Sequence, residues 1–101
     1  MEARFTDPSV LILGSLAGGP KHGYALIKDV EEVAGVTLGP GTLYGALSRL
    51  EQRGLVEALP AEERRRPYRI TAAGAEAAQA YLEHARQVAD RGLRRLGAAH
   101  A

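Results

Sequence analysis

Gly39-Pro40-Gly41-Thr42-Leu43-Tyr44-Gly45-Ala46-Leu47-Ser48-Arg49-Leu50-Glu51-Gln52-Arg53-Gly54-Leu55-Val56 is the stretch on which the fold turns. Pro40 is pre-set for the first turn of a helix, and Gly54 supplies the stop after Arg53. At 100° per residue, Leu43, Leu47 and Leu50 fall within about 60° of one another and form a narrow apolar stripe. Gly41, Gly45, Ser48 and Gln52 lie opposite, about 140–200° from Leu43, with Thr42 and Arg49 on one edge and Tyr44 on the other. A helix that is short-chained near its N-terminus and polar on its outer face can approach base edges without obstruction.

Outward from this helix, the elements come in a telling order. Upstream, Asp7-Pro8 is an N-cap followed by proline at the first helical position, and residues 9–17 are apolar nearly all round, as in a helix buried on more than one side. Gly18-Gly19-Pro20 ends it. A second helix over 22–34 places Gly23, Leu26, Ile27, Val30 and Ala34 on one face and leaves Lys28, Asp29, Glu31 and Glu32 outside, with Gly35 as the stop. Downstream, residues 55–59 and 68–70 read as two short strands. The polar, proline-flanked segment 60–67 between them makes a hairpin with a basic tip at Arg64, Arg65 and Arg66. Thr71 then caps a helix over 72–96. Helix, helix, helix, strand, strand, long helix is a mainly α fold with a small β-hairpin, the order of a winged helix-turn-helix with a C-terminal extension. We expect residues 1–71 to form the winged helix-turn-helix and 72–101 a dimerisation helix, packed as one compact unit.

Composition narrows the function. The chain has 101 residues, no cysteine, 46% hydrophobic and 25% charged residues, and a net charge of +1. That is one small domain with no disulfide or thiolate chemistry. The longest apolar run, Val10-Leu11-Ile12-Leu13, is far short of a membrane span, and residues 1–8 have no leader pattern, so a cytoplasmic protein is expected. Residues 1–40 hold Arg4, Lys21 and Lys28 against Glu2, Asp7, Asp29, Glu31 and Glu32, so the positive charge lies later in the chain, concentrated at Arg64, Arg65, Arg66 and Arg69. A local basic cluster on a near-neutral protein suits a surface that touches phosphate in one place. His22, His84 and His100 do not converge as metal ligands, and Ser9, Ser15 and Ser48 stand in no hydrolase elbow. Gly39-Pro40-Gly41 lacks the lysine of a phosphate loop. We therefore expect no enzyme, metal or cofactor.

Pro20-Lys21-His22-Gly23-Tyr24, Pro40-Gly41-Thr42-Leu43-Tyr44, Leu47-Ser48-Arg49-Leu50-Glu51, Gly54-Leu55-Val56 and Tyr68-Arg69-Ile70-Thr71 with Gly74 together resemble the PadR family of bacterial transcriptional regulators, in its compact branch with a single C-terminal helix. The resemblance covers roughly Val10 to Gly74. It implies a dimeric winged-helix regulator, most often a repressor, bound to a pseudo-palindromic stretch of double-stranded DNA and released by a small aromatic or drug-like effector. It places Thr42, Tyr44, Gly45, Ser48 and Arg49 on the recognition helix. Lys21, His22, Gly23 and Tyr24 open the supporting helix near the DNA backbone, and Arg64, Arg65, Arg66 and Tyr68 belong to the wing. The chain departs from the family pattern at Gly45, where proline is common, and at Arg66-Pro67-Tyr68, where a second tyrosine is common.

The last helix carries its own signal. Ala75, Ala78, Leu82, Ala85, Ala89, Gly92 and Leu96 are spaced alternately three and four apart, and Tyr81, Val88 and Leu93 widen the stripe. The expected dimer seam is Ala78, Tyr81, Leu82, Ala85, Val88, Ala89, Leu93 and Leu96. Phe5 and Tyr81 are the only aromatics outside the DNA-binding motifs, so aromatic stacking on an effector is poorly supplied. The rival reading is a winged-helix module for protein–protein contact without specific DNA binding.

Overall fold

The computed structural model describes residues 7–100 of the chain; Phe5 and the leader-free reading of the first residues lie outside them. Helix α1 spans Pro8–Leu16, and the Asp7 carboxylate accepts from the Ser9 N–H at 2.9 Å, as its cap position predicts. The two-residue strand β1, Lys21–His22, leads directly into α2, Gly23–Ala34. Helix α3 runs Pro40–Gln52; strands β2 and β3 are Val56–Ala58 and Pro67–Ile70; α4 is Ala72–His100. Every expected element is present within a few residues of its expected bounds, and α4 continues one turn further.

The sheet corrects one expectation. It is three-stranded and antiparallel, in the order β1-β3-β2, and not a lone hairpin. Val56 faces Ile70 and Ala58 faces Tyr68 on one side of β3, while Lys21 faces Tyr68 and His22 faces Pro67 on the other. Two residues carry no period-2 pattern, so no sequence signal marks β1. Pairing nonetheless fastens the start of α2 to the hairpin, the wing of the fold.

The core is built from one face of each helix. Ile12 and Leu16 of α1, Leu26 and Val30 of α2, and Leu43, Ala46, Leu47 and Leu50 of α3 are buried together with Leu38 and Val56. The all-round apolarity of α1 is explained by its position, packed on α2, α3 and α4 at once. Ala34, expected on the buried face of α2, is exposed. The wing tip is a tight turn in which Glu62 and Arg65 exchange backbone hydrogen bonds at 2.6 and 2.7 Å, with Glu63 and Arg64 at φ of 45° and 70°. Both are left-handed positions that side chains other than Gly or Asn enter at a cost.

Helix α4 divides in two. Thr71 Oγ1 accepts from the Gly74 N–H at 3.0 Å and donates to the Gly54 carbonyl at 2.7 Å, so one hydroxyl caps α4 and ties it to the end of α3. Gly74 lies against the Leu55 carbonyl and Ile70, where a methyl group would collide with the backbone oxygen. Ala78 is buried in the core at 7% exposure. Past Ala85 the helix leaves the body, and the protein extends 57 Å along its longest axis. Gly74→Ala is expected to destabilise the fold by roughly 2 kcal/mol or more, because the helix must back away from β2 and open the contacts around Ala78; urea unfolding measures the shift.

Candidate nucleic-acid interface

The outer face of α3 is as bare as its residues imply. Gly41, Thr42, Ser48, Arg49 and Gln52 are exposed, while Leu43, Ala46, Leu47 and Leu50 point inward. Gly39 and Pro40 begin the helix without a side-chain cap, leaving its first N–H groups open toward solvent. Gly45 is half-buried; a side chain there would come within 3.6 Å of the Arg49 guanidinium, so Arg49 runs back along the helix past Gly45. The Gly41–Gly45 ridge therefore presents backbone and one long cation to whatever approaches it.

Tyr44 decides how α3 meets α2. Its hydroxyl and ring carbon sit over the α-carbon of Gly23, in the space any larger residue would fill. Leu43 closes the same contact from beneath. Gly23 is consequently buried, and the two glycine–tyrosine motifs are halves of one joint. Next to it the Tyr68 phenol is half-buried; burial above all, then the Glu51 carboxylate and Tyr44, raise its pKa above the ordinary value of 10.0, against a smaller lowering by Arg66.

The wing and the start of α2 are joined through His22. Its Nδ1 accepts from the Ala25 N–H at 3.4 Å and caps α2, while Nε2 lies 3.4 Å from the Arg65 guanidinium. Arg66 donates to the Leu59 carbonyl at 3.2 Å, and Arg69 is paired with Glu57 across the β2–β3 ladder. Arg64, at the tip, is exposed and makes no hydrogen bond or ion pair among the described residues. Glu62 and Glu63 share that tip, so the wing is a mixed surface in which Arg64 is the unengaged cation.

Four expected contacts are redirected by this geometry. The Lys21 ammonium donates to the Ser15 carbonyl and neutralises the C-terminal end of α1, so it braces the fold. Gly23 is buried beneath Tyr44, and Tyr68 has its ring against the core. In the dimer set, Ala78 is consumed by its own domain's core. His22, Tyr24, Thr42, Tyr44, Ser48, Arg49 and Arg64–Arg66 all retain surface on the α2, α3 and wing elements that the joint and β1 hold together. Lys28, which the sequence reading left as a solvated charge, stands 5.8 Å from the centre of the exposed Tyr24 ring, a cation–π pair one turn along α2. Its i,i+4 spacing from Tyr24 was the available signal.

The model of the family described as transcriptional regulator PadR-like matches residues 12–80. The chain belongs to the PadR-like family of transcriptional regulators. Over 73 residues it is 51% identical to an uncharacterized 37.1 kDa protein in transposon TN4556 of Streptomyces fradiae, covering 72% of this chain and 21% of that protein. Over 82 residues it is 34% identical to transcriptional activator GvpE2 of Halobacterium salinarum, covering 81% of this chain and 39% of that protein. The chain thus spans about a fifth and about two-fifths of the length of these two curated relatives. The crystal structure of a PadR family transcription regulator from Clostridium difficile superposes with a TM-score of 0.79 at 26% identity, covering 88% of this chain and 97% of that one. Match and superposition agree with the mainly helical winged-helix fold. No helix among the described residues is long and apolar enough to cross a membrane.

Two measurements check the joint. Gly23→Ala is expected to cost about 1–3 kcal/mol, and Tyr44→Ala in the same chain to recover part of that loss, giving a favourable coupling in a double-mutant cycle. For Tyr68, a raised pKa in the folded chain means that the unfolded chain loses the proton first. Its stabilising contribution is therefore whole below about pH 10 and is lost as pH climbs through that value. Tyr68→Phe is expected to flatten the alkaline fall of the urea midpoint.

Proposed function

We propose that the chain is a sequence-specific DNA-binding regulator that acts as a homodimer on a pseudo-palindromic operator. The observation that carries this reading is the bare, polar outer face of α3 lying beside a wing whose tip cation, Arg64, is unengaged. Thr42, Ser48 and Arg49 stand where base edges and phosphates are reached from a recognition helix, and His22, Tyr24 and Lys28 where the supporting helix passes the backbone. Two such helices related by a two-fold axis meet successive major grooves about 34–36 Å apart. In this reading the body supplies the DNA contacts, α4 beyond Ala85 supplies the dimer contact, and the protein works in the cytoplasm where its DNA lies.

Repression is the direction we propose, since a dimer seated across two grooves blocks polymerase from the same DNA. Relief would come from a small aromatic or drug-like molecule; the apolar groove of about 320 Å³ between α1, α2 and α4 has the size for one. The name of the Halobacterium relative is that of an activator, so transcription in vitro on the bound promoter is the direct check of direction. A rise on adding protein would overturn repression and leave DNA binding intact.

The experiment that tests DNA recognition is selection of bound fragments from the parent genome, followed by titration at several salt concentrations. Arg64→Ala is expected to weaken operator and random duplex alike and lower the salt slope by about one unit. Ser48→Leu is expected to cost about 1–3 kcal/mol on the operator and less on random DNA. Failure to retard any duplex at low salt would favour the protein-contact reading.

A further inference from the structure

The largest concavity among the described residues is a groove of about 320 Å³ floored by α1, walled by α2 and closed on its third side by the middle of α4. Val10, Leu11 and Gly14 form the floor, Val30 and Val33 one wall, Tyr81 and Leu82 the other. Leu82 is 47% exposed and Val33 80% exposed, so the groove leaves much apolar surface open to water. Elsewhere on the same chain, the free end of α4 carries the complementary deficit: Val88, Leu93 and Leu96 are 54%, 67% and 58% exposed.

Charge distinguishes the two surfaces. At 100° per residue, the groove-lining stripe of α2 is bordered about 60° beyond either edge by Glu31 and Glu32, and Asp29 lies in the stripe itself, accepting from Ser15 Oγ at 2.5 Å. The groove therefore has an acidic rim. On α4 the stripe of Val88, Gly92, Leu96, Ala89 and Leu93 is bordered on one edge by Arg91 and Arg95 and on the other by Arg86. The helix end is apolar with basic margins. One chain thus carries an acidic-edged apolar groove and a basic-edged apolar arm, and its own arm points away from its own groove.

We propose that the groove of each copy receives the end of α4 from a second copy, with Leu93 and Leu96 as apolar anchors and Arg91 and Arg95 facing Asp29 and Glu32. This rests on the dimeric reading above and replaces the simple seam with a reciprocal exchange of arms. A two-fold axis makes the contact twice. If Leu96 of one copy lies beside Leu82 and Ala85 of the other, the axis passes near Ala89, midway between them, and the two α4 helices cross antiparallel. Ala85, Ala89 and Gly92 are the small residues of that stretch, which lets the backbones approach closely at the crossing. An effector entering the groove would displace Leu96, giving release from DNA a physical route.

The absence of cysteine makes the arrangement testable by cross-linking at exposed positions, where substitution leaves the core untouched. Under mild oxidation, an equimolar mixture of Val33→Cys and Leu96→Cys chains is expected to give a mixed disulfide dimer, and Ala89→Cys alone a symmetric one. Leu96→Cys alone gives none, because the two Leu96 positions stand about 20 Å apart along the antiparallel pair. Arg91→Glu with Arg95→Glu should weaken dimerisation at least tenfold by analytical ultracentrifugation, and Glu32→Arg in the same chain should restore part of it. A self-linked Leu96→Cys dimer without the mixed product means a parallel seam; it overturns this inference and leaves the dimeric reading standing. A wild-type chain that is monomeric by light scattering overturns both. Retardation of operator DNA by that same sample judges the DNA reading separately.

Discussion

Tyr44 reaches across the N-terminus of α2 because Gly23 leaves its α-carbon uncovered, and the geometry of the whole interface hangs on that approach. The contact fixes the angle between the supporting helix and the recognition helix. It also leaves Leu43 free to enter the core directly beneath. Because His22 precedes Gly23 and pairs with β3, the same few atoms set the wing relative to α2. A phenol ring on bare backbone is a stiffer joint than two flexible side chains would make, since it has little rotamer freedom to lose.

The surroundings of the joint show how a small domain economises on side chains. Thr71 serves as helix cap and as a tether to Gly54. His22 caps α2 and faces Arg65. Lys21 completes the end of α1 and also sits in β1. These double roles keep polar groups satisfied, and no buried side-chain nitrogen or oxygen among the described residues lacks a hydrogen-bond partner. They also withdraw several cations from solvent-facing duty, which is why a count of arginines and lysines overstates what the wing offers. The exposed Arg69–Glu57 pair adds little stability of its own.

Apolar surface is the commodity this fold cannot fully cover. Its core draws on one face of three short helices, and the long fourth helix contributes only its first turns before leaving the body. A domain of this size gains most from a partner that buries what it cannot bury alone. The groove and the α4 arm are both products of that shortage, and they lie on the side where α1, α2 and α4 meet.

The three N-terminal helices, the hairpin and the long last helix were legible in the residues, because Pro8, Pro40, Gly35, Gly54 and Thr71 punctuate the chain locally and the leucine stripe of α3 has a helical period. The outer face of α3 was legible for the same reason: periodicity assigns faces. Strand β1 was not, since two residues become a strand only when β3 lies beside them. Nor were the roles of Lys21, Gly23, Tyr68 and Ala78, each decided by a neighbour distant in sequence: the Ser15 carbonyl, the Tyr44 ring, the core beneath β3, and the body packed under α4. Local sequence determined which elements form and which way each one faces. Only the tertiary structure decided which exposed-looking groups were already spent on holding those elements together, because hydrogen bonds and close contacts depend on distances that periodicity does not carry.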